Sequence, residues 1–338
     1  MTTASATLVP PTNQAAETAR ADRPSFSIVL ETENVVSAGL DYLRRTLATL
    51  EAQTVSPRDS VETIVTQSGD VPDDVLAELG KKYPWVRPLT VPEDIDYYQA
   101  KMTAVREARG EIVVFADSDC AYEPDWLERL LEPFQRDEVQ AVAGHTGMTV
   151  SDTFEMGMSA VYFLHPQLSR RPGDTVRPGH RYFANNVAFR RTLLERRPIP
   201  EGRQFLRGQC TAHAEQLAAD GVVIWQQPHA RAVHPPLRRA YAFVWRFLLL
   251  GEEEVMRARL RHRGAAVILT VTKRLLRRDL EAPWRLLKVL RDQPRHLWRL
   301  PGAAAVAGSA LALAHAGALL ELVAPGRRLS GYLRRRRR

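Results

Sequence analysis

Two carboxylates one residue apart, Asp117 and Asp119, follow the apolar run from Glu111 to Ala116 (EIVVFA). Residues i and i+2 that leave a strand can both reach one ion when the chain turns. A hard divalent cation, manganese or magnesium, takes carboxylate oxygens and completes its shell with phosphate oxygens and water. There it would bridge a diphosphate and act as a Lewis acid on the leaving group. Asp-x-Asp by itself is common on surface loops. The triplet also precedes Pro124-Asp125-Trp126-Leu127, a helix start with proline near N1, so an acidic turn capping that helix is the plainer alternative.

Placement separates the two readings. Phe26 to Leu30 (FSIVL) has the composition of a buried strand, and Leu40, Leu43, Leu47 and Leu50 then recur at helical spacing up to Gln53. Val61 to Val65 predicts a second strand, Asp74 to Lys82 a helix, Val86 to Leu89 a third strand, and Gln99 to Arg109 a helix stopped by Gly110. Glu111 to Ala116 is then the fourth strand. Strands alternating with helices predict right-handed βαβ units and a largely parallel sheet. Such sheets bind ligands beyond the carboxyl ends of their strands. The tips to inspect are Glu31-Thr32-Glu33-Asn34, Thr66-Gln67-Ser68-Gly69 and Asp117-Ser118-Asp119-Cys120, all polar. Further on, Phe183 to Phe189 and Val222 to Gln226 predict strands, and Gln209 to Asp220 a helix ended by Gly221.

The chain of 338 residues is 45% hydrophobic and 25% charged, ordinary globular usage that excludes wholesale disorder. Its formal charge of +8 is concentrated after Arg238 and in Arg334 to Arg338. The basic residues form no recognisable nucleic-acid module, which sets nucleic acid aside as a partner. Two cysteines, Cys120 and Cys210, are too few for a disulfide framework and point to a reducing compartment. Met1 to Arg23 lacks an apolar run, so a loose leader is expected there and not a secretory signal.

From Ser25 to Gly251 the chain resembles a family 2 glycosyltransferase with the GT-A fold. Phe26 to Asn34 is similar to that family's opening strand and tip. Tyr98 to Gly110 resembles the segment where a basic residue, here Lys101, faces the phosphates of the donor. Ile112 to Asp119 resembles the strand ending in metal-binding carboxylates. Phe183 to Arg191, with Asn185 and Asn186, resembles the acceptor-side strand, and Gly221 to His234 the stretch ending in a histidine that meets the metal or diphosphate. The order and spacing of five blocks are more specific than any one of them. The resemblance implies a nucleotide-sugar donor gripped by Thr32, Glu33, Gln67, Lys101, Asp117 and His234, a divalent cation on Asp117, Asp119 and His234, and inversion at the anomeric carbon. Glu33 is read equally well as a cap of the first helix, and Asn185 and Asn186 as an ordinary turn.

The departures are specific. Glu31 stands where the family tip usually has proline, and Thr66 and Gln67 replace the carboxylate that grips the nucleotide base. The acidic pair that supplies the family's catalytic base maps onto Gln209 and Cys210. An amide does not titrate and a thiol is mostly protonated at neutral pH. His213 lies four residues after Gln209 and three after Cys210, on the same helix face, and its ordinary pKa would let it take a proton from an acceptor hydroxyl. Glu215 lies about a third of a turn away from Gln209 and ranks lower. Arg207, beside Gln209, could meet an anionic acceptor or the diphosphate.

After His234-Pro235-Pro236 the character changes. Ile268 to Arg299 is basic and amphipathic, with Trp284 and Trp298 among its apolar residues, the composition of an interfacial helix on anionic lipid. Gly302 to Ala324 is long enough to span a bilayer, although His315 and Glu321 interrupt it. The fold class expected is therefore α/β: a GT-A-type, Rossmann-like, mostly parallel sheet over residues 25–250, preceded by a leader over 1–24. A helical, membrane-associated region with a basic tail follows over 251–338. The expected activity is inverting glycosyl transfer to a glycan or lipid-linked acceptor, on the cytoplasmic face of the cell membrane, peripheral or single-span. A non-catalytic sugar-binding scaffold is the alternative that Gln209 and Cys210 favour and Asp117 and Asp119 oppose. A sugar nucleotidyltransferase would need a Gly-rich basic loop after the first strand, which Glu31 to Ser37 is not.

Overall fold

The structure is a computed structural model that describes residues 23–162, 165–166, 173–201 and 208–325. Arg207, the leader and the Arg334 to Arg338 tail lie outside the described residues.

The first half builds the expected units in order. They are β1 (Phe26–Glu31), the short α1 (Val35–Ala38), α2 (Leu40–Glu51), β2 (Glu62–Gln67), α3 (Asp73–Lys82), β3 (Val86–Thr90), α4 (Tyr97–Glu107) and β4 (Ile112–Asp117). Alternation along the strands sorts their side chains into two layers. Phe26, Ile28 and Leu30 face α2 and meet Leu43, Leu47 and Leu50, while Val29, Val113 and Phe115 face α4 and meet Met102 and Val105. Helix α4 begins two residues earlier than its apolar spacing suggests because Asp96 caps it. The Asp96 carboxylate accepts from the Tyr98 and Gln99 amides, both at 2.9 Å, and the Gln99 side chain accepts from the Asp96 amide at 3.2 Å.

The second half adds β5 (Ala121–Tyr122), α5 (Trp126–Leu131), β6 (Ala141–Met148), α6 (Thr153–Val161), β7 (His165–Pro166), β8 (Arg177–Gly179), β9 (Asn186–Arg190), α7 (Arg191–Arg196), α8 (Gln209–Ala219) and β10 (Ile224–Val233). The sheet order is β3-β2-β1-β4-β9-β6-β10-β5. Strands β3, β2, β1 and β4 are mutually parallel, β9 runs antiparallel between β4 and β6, and β6 and β10 are parallel again. The sheet is thus mixed: β9 is reversed within it, and β5 and β8 pair antiparallel with β10. The strand order reverses between β1 and β4, and the crevice beyond their carboxyl ends is where an α/β sheet takes its ligand. Strand β10 is longer than Val222 to Gln226 because a register shift between Gln227 and Arg231 absorbs Pro228. Strand β6 runs through Gly144, and that glycine is required: a Cβ there would lie 2.1 Å from Asn186 Oδ1 and 2.3 Å from the Ala230 carbonyl.

Three long helices follow: α9 (Ala240–Arg261), α10 (Ala265–Asp292) and α11 (Leu300–Val323). Residue 250, the expected end of the sheet region, falls inside α9. Pro294–Val323 is long and apolar enough to cross a membrane. One face of α11, Ala303, Ala307, Ala310, Ala314 and Ala318, is nevertheless buried in a cluster shared with Met156 and Met158 of α6 and Leu250 and Val255 of α9. Gly251 lets the α11 backbone come so close that a Cβ would sit 1.9 Å from the Ala314 carbonyl. Glu321 pairs with Arg259, and His315 with Asp279 at 3.0 Å. These contacts seat one face of α11 against α6 and α9, and its two polar pairs tie it to α9 and α10.

Candidate active site

Register puts the three polar tips side by side. Glu31 pairs across β1 with Asp117 of β4 and with Thr66 of β2. Thr32 donates to the Thr66 carbonyl at 2.9 Å and so closes the β1 tip against β2.

Asp117 sits in a cradle of donors. Tyr97 donates its hydroxyl to Oδ1 at 2.6 Å, Asn34 donates its amide to Oδ2 at 3.2 Å, and the Lys101 ammonium lies 2.8 Å from Oδ1. Lys101 also donates to the Ala116 carbonyl at 2.6 Å and is fully buried. Lys101 is thus spent on Asp117 and the strand end, and does not face the phosphate side expected of it. Burial of an ammonium is tolerated because it is paired, bonded and flanked by the rings of Tyr97 and Phe115 at 4.9 and 5.3 Å. Glu31, 3% exposed, accepts from the Glu33 amide at 2.7 Å through Oε1, while Oε2 has no partner. Burial holds its carboxyl well above the usual range, and Glu33 and Asp117 push the same way against Lys101. One lysine thus stands beside two buried carboxyls, bonded to Asp117 and not to Glu31.

Asp119 and His234 face each other across the end of β10. His234 Nε2 lies 3.5 Å from Asp119 Oδ2, and its Nδ1 is 2.6 Å from the Pro235 carbonyl. A carbonyl only accepts, so Nδ1 carries a hydrogen and Nε2 is the ring nitrogen turned toward the Asp119 carboxylate. The pair offers a cation two side chains at most, since among the described residues no group of three His, Cys, Asp or Glu side chains forms a metal cluster; diphosphate and water would have to complete its shell. Behind them, the Tyr122 hydroxyl accepts from the Asp117 amide at 2.9 Å and donates to the Asn185 carbonyl at 3.0 Å, fixing the tip of β4 to β9.

Residues 27–197, about half of the chain, match the sequence profile described as Glycosyl transferase family 2. The chain belongs to that family. Glycosyltransferase AglE of Haloferax volcanii is 24% identical over 128 residues, 37% of this chain and 40% of that one. The match therefore spans less than half the length of that curated relative. Among solved structures, the mannosyltransferase PcManGT from Pyrobaculum calidifontis, in complex with GDP-Man and Mn2+, superposes with a TM-score of 0.51 at 20% identity. It covers 90% of this chain and 82% of that one. The fold is of the GT-A type, as the order of strands and tips led us to expect.

Within this family 2 fold, several expected site residues turn out to be structural. Asn186 is fully buried, its amide accepting from Trp126 Nε1 at 2.8 Å and donating to the Ala230 carbonyl at 3.0 Å, so it is closed to a sugar. Asn185 accepts from Thr146 Oγ1 at 3.0 Å. Gln67 donates to Thr90 Oγ1 at 2.9 Å and accepts from the Gly69 amide at 2.8 Å, which commits it to its turn. Glu33 stands half-buried at the β1 tip, and its side chain makes no cap of α1, whose N-cap is Asn34. Gln209 and Cys210 open α8, both buried, and burial pushes the Cys210 thiol up, away from a role as base. The residues that sequence reasoning missed are Tyr97, Asn34 and Tyr122, whose polar ends grip β4 from three other segments. Only Asn34 carried a signal, as part of the polar β1 tip.

His213 is sealed in the core. Its Nδ1 is 2.7 Å from the Tyr182 hydroxyl and its Nε2 2.8 Å from the Arg197 carbonyl, with no exposed surface. Both ring nitrogens being used, it cannot receive a proton from an acceptor, and the expected base is lost. Burial lowers its pKa from 6.5 to about 4, against the pull of the Arg197 carbonyl. The unfolded chain therefore binds a proton between about pH 6.5 and 4 that the folded chain refuses. Stability from this site is complete above pH 6.5 and is lost as pH falls through that window, by roughly 3 kcal/mol at most. Urea denaturation at pH 7 and pH 4.5 is expected to show this slope, flattened in His213→Gln. An unchanged slope in that variant would place the acid sensitivity elsewhere.

Proposed function

We propose that the chain transfers a glycosyl group from a nucleotide-sugar, bound with a divalent cation, to a hydroxyl acceptor by a single inverting displacement. The observation that carries this reading is the approach of Asp119 and His234 Nε2 at the carboxyl end of β4, beside the switch point of the sheet. Manganese or magnesium held there would supply Lewis-acid stabilisation of a departing diphosphate. Asp117, fixed by Tyr97, Asn34 and Lys101, holds the adjoining backbone rigid, so the Asp119 carboxylate keeps one direction. Glu31 and Thr66 stand level with Asp117 across the sheet, at the strand ends beside which the nucleoside would lie. Positioning and fixed charge, not covalent chemistry, would provide most of the acceleration.

The test is a thermal-shift panel of nucleoside diphosphates with and without manganese, on the full chain. One nucleotide should raise the melting temperature only with the metal, since a ligand of the native state stabilises by mass action. A well-folded sample that responds to no nucleotide would favour the second reading, a non-catalytic binding scaffold, which the buried Gln209 and Cys210 support.

The acceptor is proposed to be lipid-linked and met at an anionic membrane surface, on the cytoplasmic face, by peripheral contact. Leu269, Leu276, Leu280, Trp284 and Leu287 are exposed along one stripe of α10, with exposed Lys273 and Arg277 beside them. Trp298, in the turn before α11, is 73% exposed. Apolar residues with interleaved cations suit the headgroup boundary. The double variant Trp284→Ala/Trp298→Ala is expected to sediment with anionic phospholipid vesicles about tenfold less well than the unaltered chain. Equal sedimentation would remove this face as the contact.

A further inference from the structure

Three arginines of α9 and α10 converge on one carboxylate. Glu254 of α9, itself buried, takes Arg257 at 2.5 Å and Arg278 at 3.0 Å on Oε1, and Arg274 at 3.2 Å on Oε2. Two more guanidinium groups stand beside them. Arg285 donates to the Tyr162 carbonyl at 3.0 Å and to Glu281 at 3.1 Å, and Arg246 lies 5.8 Å above the Tyr162 ring. These are not solvated surface charges: the Arg257 and Arg285 side chains are 20% exposed, against 81% for Arg277. Arg257 Nε is buried and has no hydrogen-bond partner. Glu252 and Glu253 are buried next to Glu254 in α9 and have partners of their own. The balance at Arg278 is cationic all the same. Burial lowers its pKa, and Arg257, Arg285 and Arg246 push the same way against Glu254.

The cluster borders the candidate active site on two sides. The Tyr162 ring beneath Arg246 is 6.3 Å from the His234 ring. Arg257 reaches the start of α8: burial pushes the Cys210 thiol up, and among the smaller effects Glu253 raises it and Arg257 lowers it. We propose that this arginine cluster binds a phosphate group carried by the acceptor. The inference rests on the glycosyl-transfer reading and adds the chemistry of the acceptor to it. Guanidinium forks match phosphate oxygens in pairs, and their charge-assisted bonds are stronger than neutral ones. A network that served only to join α9 to α10 would need one arginine for Glu254, and further cations held beside it out of water are unfavourable without an anion. A phosphate among them supplies that anion. One flank of the cluster adjoins His234, and the other adjoins Gln209 and Cys210, onto which the family's acceptor-activating pair maps. The same α10 exposes Leu276, Leu280 and Trp284, so a phosphate joined to an apolar chain would find partners for both of its parts on one helix.

The probes are hexyl phosphate, hexanol and inorganic phosphate, followed by thermal shift on the full chain without metal, alongside nucleoside diphosphates with manganese. Hexyl phosphate should raise the melting temperature and hexanol should not. Arg246→Gln and Arg278→Gln should each need at least about tenfold more hexyl phosphate for the same shift. Arg291→Gln, at the exposed end of α10, should respond as the unaltered chain does. Arg278→Lys keeps a cation beside Glu254, so a weaker response with an unchanged ligand-free melting temperature reports the lost fork and not a lost fold. The nucleotide response should persist in all four variants. Equal hexyl phosphate responses in the arginine variants and the unaltered chain overturn the site, as does a response to hexanol equal to that of its phosphate. A response to inorganic phosphate alone would make free phosphate the ligand and overturn the acceptor assignment. A parallel loss of the nucleotide response would give the cluster to the donor diphosphate, with the same consequence. A nucleotide response without any hexyl phosphate response sinks this inference alone. The reverse, hexyl phosphate without any nucleotide, sinks the glycosyl-transfer reading and with it the word acceptor.

Discussion

Asp119→Asn is expected to lower nucleoside diphosphate release by about a thousandfold or more while the protein stays folded. The expectation follows from the charge that must be met when a diphosphate departs. A bound cation contributes several kcal/mol of stabilisation there, and each 1.4 kcal/mol is about a factor of ten. Asparagine keeps the size of the side chain and can still donate to His234, but it is a poor ligand for a hard cation. The manganese-dependent rise in melting temperature with nucleoside diphosphate should vanish in the variant, and the metal-free melting temperature should not move. His234→Ala should cost less, about 10- to 100-fold, because the diphosphate and water can refill its place. Full turnover in Asp119→Asn would remove the Asp119–His234 pair from the chemistry and leave the polar tips as a binding site alone.

Lys101→Met should be the most damaging single change to stability, by about 3–5 kcal/mol, because it breaks a buried ion pair from one side. Asp117 would remain at 4% exposure with the partially charged groups of Tyr97 and Asn34 but without the ammonium at 2.8 Å. Methionine fills the volume and fits against Tyr97 and Phe115, so the loss reports charge and not a cavity. The check is a double-mutant cycle by urea denaturation. Lys101→Met/Asp117→Asn should recover part of what Lys101→Met loses, leaving the sum of the single losses larger than the double loss. Strict additivity would mean that the two side chains stabilise the fold independently, against the distance between them.

What could be read from the sequence was the part governed by period and order. Strands β1 and β4 announce themselves because every residue is buried on both faces, and α2 because its leucines repeat at helical spacing. The crevice followed from topology alone, since polar tips after parallel strands converge wherever the order reverses. The roles of single polar residues did not follow. Lys101 reads as a solvated or phosphate-facing charge in a helix, and only its distance to Asp117 shows where its charge is spent. Asn186 and His213 illustrate the same limit: a buried polar side chain must be bonded, and the partner, here Trp126 Nε1 or the Arg197 carbonyl, lies far away in the chain. Strand β10 was cut short at Pro228 because a bulge that rescues a proline leaves no trace in composition.

The small-residue seam between α11 and its neighbours also sets an order for making the protein. The apolar side of α6, finished by Val161, is covered by Ala303 and Ala307 of a helix that begins at Leu300. At synthesis rates of 5–20 residues per second, the intervening stretch takes roughly 7–30 s to be made. For that interval the sheet can close on itself, but Met156 and Met158 have no permanent cover. A nascent chain in this state carries an open apolar groove flanked by the cationic α10, and a nearby bilayer or chaperone would compete for it until the last helix docks. Completion of the fold thereby waits for α11, and shortening the chain within α11 would leave the sheet assembled beside an exposed, aggregation-prone face.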